Sequence, residues 1–229
     1  MRQTAPALQR RQNRLVAHAA LLLFALLLTL LAPATYAQAA SNHIRLVVFG
    51  DSLSAGFSLA EEASFPSVLQ RELTKAGHKV TVINASVSGD TTSSGKARIE
   101  WALADKADAI ILELGANDML RGIDPEKTSA ALGAMIEKIQ AKKMRVLLAG
   151  MIAAPGMGKE YEKKFNAIFP ALARKYGVPL YPFFLEGIAA RKEYNLADGM
   201  HPNAKGVEII VANILPHVRK LLQDETTAR

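Results

Sequence analysis

From residue 44 onward, short runs of aliphatic and β-branched residues alternate with stretches whose apolar residues recur every three or four positions. Ile44-Arg45-Leu46-Val47-Val48-Phe49 predicts a first strand, and Val80-Thr81-Val82-Ile83-Asn84 a second. Ala109-Ile110-Ile111-Leu112-Glu113-Leu114 predicts a third and Arg145-Val146-Leu147-Leu148-Ala149 a fourth. Val178-Pro179-Leu180-Tyr181 gives a short fifth. Between them the period lengthens to that of a helix. Phe65, Val68, Leu69, Leu73 and Ala76 share a face before the stop at Gly77. A short helix is expected through Arg98 and Trp101, and Leu132, Met135, Ile136 and Ile139 stripe the next. Residues 159–176 and a closing helix through Val207, Ile210, Ile214 and Leu221 complete the set. Strands that are apolar throughout and separated by helices imply an α/β protein. Its mostly parallel five-stranded sheet should be covered on both faces, in three layers, α/β/α.

The first 40 residues break this pattern. Four arginines (Arg2, Arg10, Arg11, Arg14) precede an almost wholly apolar run, Leu15 to Ala32, then Pro33 and a patch of small residues. That order is the order of a secretory signal, with cleavage expected after Ala37 or Ala39. Residues 1–39 are therefore expected to be removed and 40–229 to form one domain. The expected location is the periplasm or outside the cell, with no permanent membrane anchor.

The charge follows from this division. The formal net charge is +7. Without the four arginines, 24 basic residues face 21 acidic ones, and the remaining +3 is spread along helices among glutamates. An anionic polymer needs a stronger field than that, so nucleic acid is not an expected partner. The chain has no cysteine, which removes disulfides and thiolate metal sites. His43, His78 and His217 have no partners at ligand spacing, so no metal is expected. Ser93-Ser94-Gly95-Lys96 lacks the upstream glycines of a phosphate loop.

In a parallel sheet, sites collect at the carboxyl ends of strands. Ser52 follows the first strand on a Gly50-Asp51 turn, Gly89 follows the second, and Asn117 follows the third. A serine there can present its hydroxyl as a nucleophile. The N–H groups of Ser52 and Gly89 and the Asn117 amide can bind the oxyanion of acyl transfer, each worth roughly 3 kcal/mol. Asp198 and His201, three apart on a glycine-containing loop, suit an acid that orients an imidazole base. Each residue alone has an ordinary explanation as a turn, loop or cap. Their joint placement does not.

Four blocks carry a resemblance. Gly50-Asp51-Ser52-Leu53-Ser54, Ser88-Gly89-Asp90-Thr91, Gly115-Ala116-Asn117-Asp118 and Asp198-Gly199-Met200-His201-Pro202-Asn203 resemble, in order, the blocks of the GDSL/SGNH hydrolase family. The likeness runs from about residue 44 to the last helix. It is greatest to the bacterial periplasmic multifunctional thioesterase, arylesterase and lysophospholipase (TesA-like) subgroup. Two departures are Ala116, where that subgroup usually has a second glycine, and the loop from Ala153 to Gly158. The resemblance implies a flavodoxin-like SGNH hydrolase fold and a serine hydrolase. It would act on small-molecule esters, thioesters or lysolipids.

Ser52 would attack the acyl carbonyl, His201 would move the proton, and Asp198 would orient His201, with no cofactor. An apolar groove from the loops after strands three and four should take the acyl chain, with Met119, Met157 and Met200 as candidate lining residues. A polysaccharide or peptidoglycan O-deacetylase uses the same constellation, and a periplasmic lipid-binding protein is the non-enzymatic alternative. A monomer is expected.

Overall fold

The structure, a computed structural model, describes residues 43–104 and 107–223. The segment read above as an export signal lies outside them.

Five strands are formed: β1 (Ile44–Phe49), β2 (Val80–Asn84), β3 (Ala109–Glu113), β4 (Arg145–Ala149) and β5 (Leu180–Tyr181). All pair in parallel, in the order β2-β1-β3-β4-β5. Every residue of β3 is buried, its closing Glu113 included, as expected of an otherwise apolar strand covered on both faces. β5 is shorter than its sequence promised. It is an edge strand, and Pro179 brings no N–H to a ladder, although its carbonyl still accepts from Leu148 N at 3.0 Å.

The helices are α1 (Ser52–Ala55), α2 (Phe65–Lys75), α3 (Thr92–Ala102), α4 (Ala116–Leu120), α5 (Pro125–Ala141), α6 (Lys159–Tyr176) and α7 (Ala204–Gln223). From β1 the chain moves outward to β2, then crosses back over β1 to β3. Right-handed crossovers therefore put α2 on one face and α3, α5 and α6 on the other. The contacts agree: α2 packs on α7, while α5 packs between α3 and α6. Phe49, Leu69, Ile99, Leu112, Ile136, Leu148, Phe165 and Ile214 are among the buried side chains of the common core. The longer helices stand where the periodicity placed them. The one-turn helices α1 and α4 were not anticipated, because four or five residues cannot display a period of 3.6. No helix among the described residues is long and apolar enough to cross a membrane.

Candidate active site

The direction of winding reverses between β1 and β3, which opens a crevice at their carboxyl ends. Ser52 leaves β1 and Asn117 leaves β3, so both stand at this crevice. Asp51 fixes them together. Its Oδ1 accepts from Leu53 N at 3.0 Å and caps α1, and its Oδ2 accepts from Asn117 Nδ2 at 3.1 Å. One Asn117 amide hydrogen is thus used for aiming, and the amide has a second. Ser52 is the first residue of α1, so its N–H has no acceptor one turn earlier and points outward with the other donors of a helix start.

The third part of the site arrives from a loop braced on itself. Leu196 N donates to His201 O at 2.8 Å and Asn203 N to Tyr194 O at 2.9 Å, around an antiparallel bridge between Asn195 and Pro202. The buried Asn195 anchors the base through Ile188 O and Arg191 O, both at 2.8 Å. Asn203 caps the start of α7, accepting from Gly206 N at 3.0 Å. Asp198 is therefore not the helix cap that it could have been. Its Oδ1 accepts from Met200 N and His201 N, and its Oδ2 lies 2.7 Å from His201 Nδ1. His201 Nε2 lies 2.9 Å from Ser52 Oγ. The Phe57 ring lies against the imidazole, centroids 4.3 Å apart, and narrows its approach to one side.

Gly89 sits exposed at φ +85°, a conformation that other residues adopt only with strain, and a Cβ there would meet nothing within 4 Å. Its carbonyl accepts from Arg121 Nη2 at 2.9 Å, reached from the end of α4. Its loop is held from two further sides. Arg98 pairs with Asp90 and donates to Ala85 O at 2.6 Å and Gly50 O at 3.1 Å, joining the turns after β1 and β2. Buried Asp118 accepts from Thr92 N at 2.7 Å and from the Thr92 and Thr128 hydroxyls, tying α4 to the start of α3.

The acids of the site are in opposed environments. The backbone N–H of His201, then that of Met200 and the imidazole, hold the Asp198 carboxyl down at about 2. Burial pushes Asp51 up to about 6, against the lowering effect of the Leu53 N–H and the Asn117 amide. Burial pushes Glu113, at the end of β3, well above the usual carboxylate range, and the charge of Asp51 adds to this.

Ser52, Asp198 and His201 are thus brought into one hydrogen-bonded line, and Gly89 and Asn117 lie on the segments that follow the strands on either side of β1. The methionines differ. Met200 is exposed beside His201. Met119 is half-buried, and its sulfur accepts from Ala154 N at 2.9 Å, which joins the loops after β3 and β4. Met157 is half-buried in the second of these loops. Neither Met119 nor Met157 is hydrogen-bonded to Ser52. Sequence reasoning missed the parts played by Asp51, Arg98, Glu113, Asp118 and Arg121. One signal was available: Glu113 is an acid inside an otherwise apolar strand.

Residues 48–209 match the family described as "GDSL-like Lipase/Acylhydrolase family". The chain is 39% identical over 179 residues to an arylesterase of Vibrio mimicus, covering 76% of this chain and 90% of that protein. It is 36% identical over 170 residues to "Thioesterase 1/protease 1/lysophospholipase L1" of Escherichia coli K12, covering 74% and 79%. A crystal structure of the psychrotrophic esterase EstA from Pseudoalteromonas sp., inhibited by monoethylphosphonate, superposes with a TM-score of 0.74 at 30% identity. The match covers 78% of this chain and 98% of that one.

Proposed function

The chain belongs to the GDSL-like lipase/acylhydrolase family, and on that premise we propose that Ser52, His201 and Asp198 are its catalytic triad. The protein is an esterase of the SGNH type, related to arylesterases and to thioesterase/lysophospholipase enzymes.

In the proposed mechanism, His201 Nε2 takes the Ser52 hydroxyl proton as Oγ attacks the ester or thioester carbonyl. The carbonyl oxygen becomes an oxyanion held by the N–H groups of Ser52 and Gly89 and the Asn117 amide. His201 then delivers the proton to the leaving alcohol or thiol, and an acyl-enzyme remains on Ser52. Water, activated by the same imidazole, releases the acid. Asp198 keeps the proton of neutral His201 on Nδ1, leaving Nε2 free to accept, and stabilises the imidazolium that forms. All five groups come from one chain, so a monomer suffices.

The observation that carries this reading is the continuous line from Asp198 Oδ2 through the imidazole to Ser52 Oγ, at 2.7 and 2.9 Å. Exposed Leu120, at the end of α4, and Ile152, on the loop after β4, favour an apolar acyl group. Hydrolysis of 4-nitrophenyl esters from acetate to palmitate tests the reading, with Ser52→Ala and with phosphonate labelling of the intact protein. Expected are a phosphonate adduct on Ser52, loss of turnover in the variant, and a medium- or long-chain optimum. Turnover that survives Ser52→Ala overturns the triad, and a sharp acetate preference moves the substrate to that of a deacetylase. We place the enzyme in the periplasm on the strength of its N-terminal segment. Sequencing the exported protein should find a start at Gln38 or Ala40, and an intact Met1 would overturn export by cleavage.

A further inference from the structure

Beneath the turn that carries Ser52 lies a buried acid that the mechanism above does not use. Glu113 ends β3 with no exposed surface. Gly50 makes room for it: a Cβ there would lie 2.4 Å from Glu113 Oε2 and 2.6 Å from Glu113 O, so only glycine allows the approach. Glu113 Oε2 lies 2.7 Å from Ser54 Oγ and 3.3 Å from Asp51 N. Asp51 and Ser54 flank Ser52, so this one oxygen holds the chain on both sides of the nucleophile.

The contacts of Ser54 set the direction of the hydrogen bonds. Ser54 Oγ also lies 3.0 Å from Ser86 Oγ, which lies 3.3 Å from the Val48 carbonyl. A carbonyl only accepts, so when Ser86 donates to it, Ser86 accepts from Ser54. A hydroxyl has one proton. When Ser54 spends its own on Ser86, the 2.7 Å contact takes its hydrogen from the carboxyl; an ionised Glu113 would instead take the Ser54 proton, and the complete burial of Glu113 disfavours that ion. We propose that Glu113 is a neutral hydrogen-bond donor in the working enzyme and a positioning residue for Ser52.

Two further observations agree. Glu113 Oε1 is buried with no hydrogen-bond partner, which a neutral acid tolerates far better than an ion does. Among the described residues no cation offsets a charge there. The charge of Asp51 repels it, while Arg98 is committed to Asp90 and two backbone carbonyls. Asp118 is taken up by Thr92 and Thr128. Ionisation of Glu113 would set a second negative charge against Asp51 and reverse the chain of donors that ends at Val48.

The proposal rests on Ser52 as nucleophile, but its main test does not depend on turnover. Infrared difference spectra of the intact protein and Glu113→Gln at neutral pH, in water and in D2O, read the protonation directly. Expected is a protonated-carboxyl C=O band that shifts in D2O and is missing from the variant, and its absence from the unsubstituted protein overturns the proposal. Kinetics read the positioning. Glu113→Gln, whose amide can donate to Ser54, should keep kcat within about threefold, whereas Glu113→Leu should lose about tenfold or more at unchanged KM. A Gln variant as impaired as the Leu variant, or a Leu variant with unchanged kcat, overturns the role. If Glu113→Leu does not fold, the spectrum and the Gln variant still decide. Phosphonate labelling of Ser52 is run alongside, so failure of the triad is told apart from failure of this inference.

Discussion

Two sides of the crevice hold acids, and they treat them in opposite ways. The side built from β1 and β3 buries Asp51 and Glu113 and pushes both upward. The side built from residues 195–203 leaves Asp198 partly in solvent, surrounds it with N–H groups, and pulls it down to about 2. Burial penalises charge and donors reward it, so identical chemistry yields an ion that supports His201 and acids that ionise less readily in the turn under Ser52. The scaffold side supplies distance and the loop side supplies charge.

The sharpest way to break this contrast is to remove the charge and keep the shape. Asp198→Asn should lower kcat on the order of 10³–10⁴-fold, because the amide favours the wrong imidazole tautomer, with a circular dichroism spectrum like that of the unsubstituted protein. Unchanged turnover would take Asp198 out of the mechanism.

Removing a donor from the scaffold side should cost less. Asn117→Ala is expected to lower kcat by about 10²–10³-fold in ester hydrolysis, with a smaller effect on KM, as for one oxyanion donor. It also strips Asp51 of a lowering partner, so Asp51 should rise further, which NMR titration of its carboxyl would show.

How far such roles could be read from sequence divides along the same line. The five strands were legible because β-branched runs and the residues that end them are local signals. Asp198 and His201 were legible because three residues of spacing on a glycine-containing loop suggest their contact. Asp51, Arg98 and Glu113 were not, because their partners are distant in the chain. Arg98 reaches Gly50 across 48 positions and Glu113 reaches Ser54 across 59. Only the pairing of β1 with β3, and the lack of a Cβ at Gly50, reveal these contacts. Ala116 and the Ala153–Gly158 loop departed from the subgroup pattern, yet Ala116 is simply the first residue of α4, buried beside Asn117.

Arg98→Ala sharpens the comparison from the scaffold side without touching a reacting group. It leaves the largely buried Asp90 unpaired and unties two turns, so a loss of about 3 kcal/mol in urea unfolding is expected. The activity of the protein that remains folded should fall less than in Asn117→Ala.

The smallest effect is in the pH dependence of stability, and its sign differs between the two sides. Asp198 is lowered from 3.8 to about 2, so its contribution is complete above pH 3.8 and is lost as pH falls through about 2. Asp51 is raised from 3.8 to about 6, so its contribution is complete below pH 3.8 and is lost as pH rises through about 6. Urea midpoints followed across this range should rise and then fall. Asp198→Asn should flatten the acid limb alone and Asp51→Asn should shallow the other, to which the raised Glu113 also contributes. One variant flattening both limbs would mean that the two acids do not act separately.

The pairing of Phe49 with Leu112 has a consequence for descent and for engineering. Neighbouring strands are held about 4.8 Å apart by their backbone ladder whatever side chains they carry. The span from nucleophile to amide donor is therefore inherited from the sheet, while Leu120, at the end of α4, and Ile152, on the loop after β4, lie outside it. A library that randomises those two positions, with Asn117, Asp118 and Arg121 retained, should sample substrate range at nearly constant catalytic geometry.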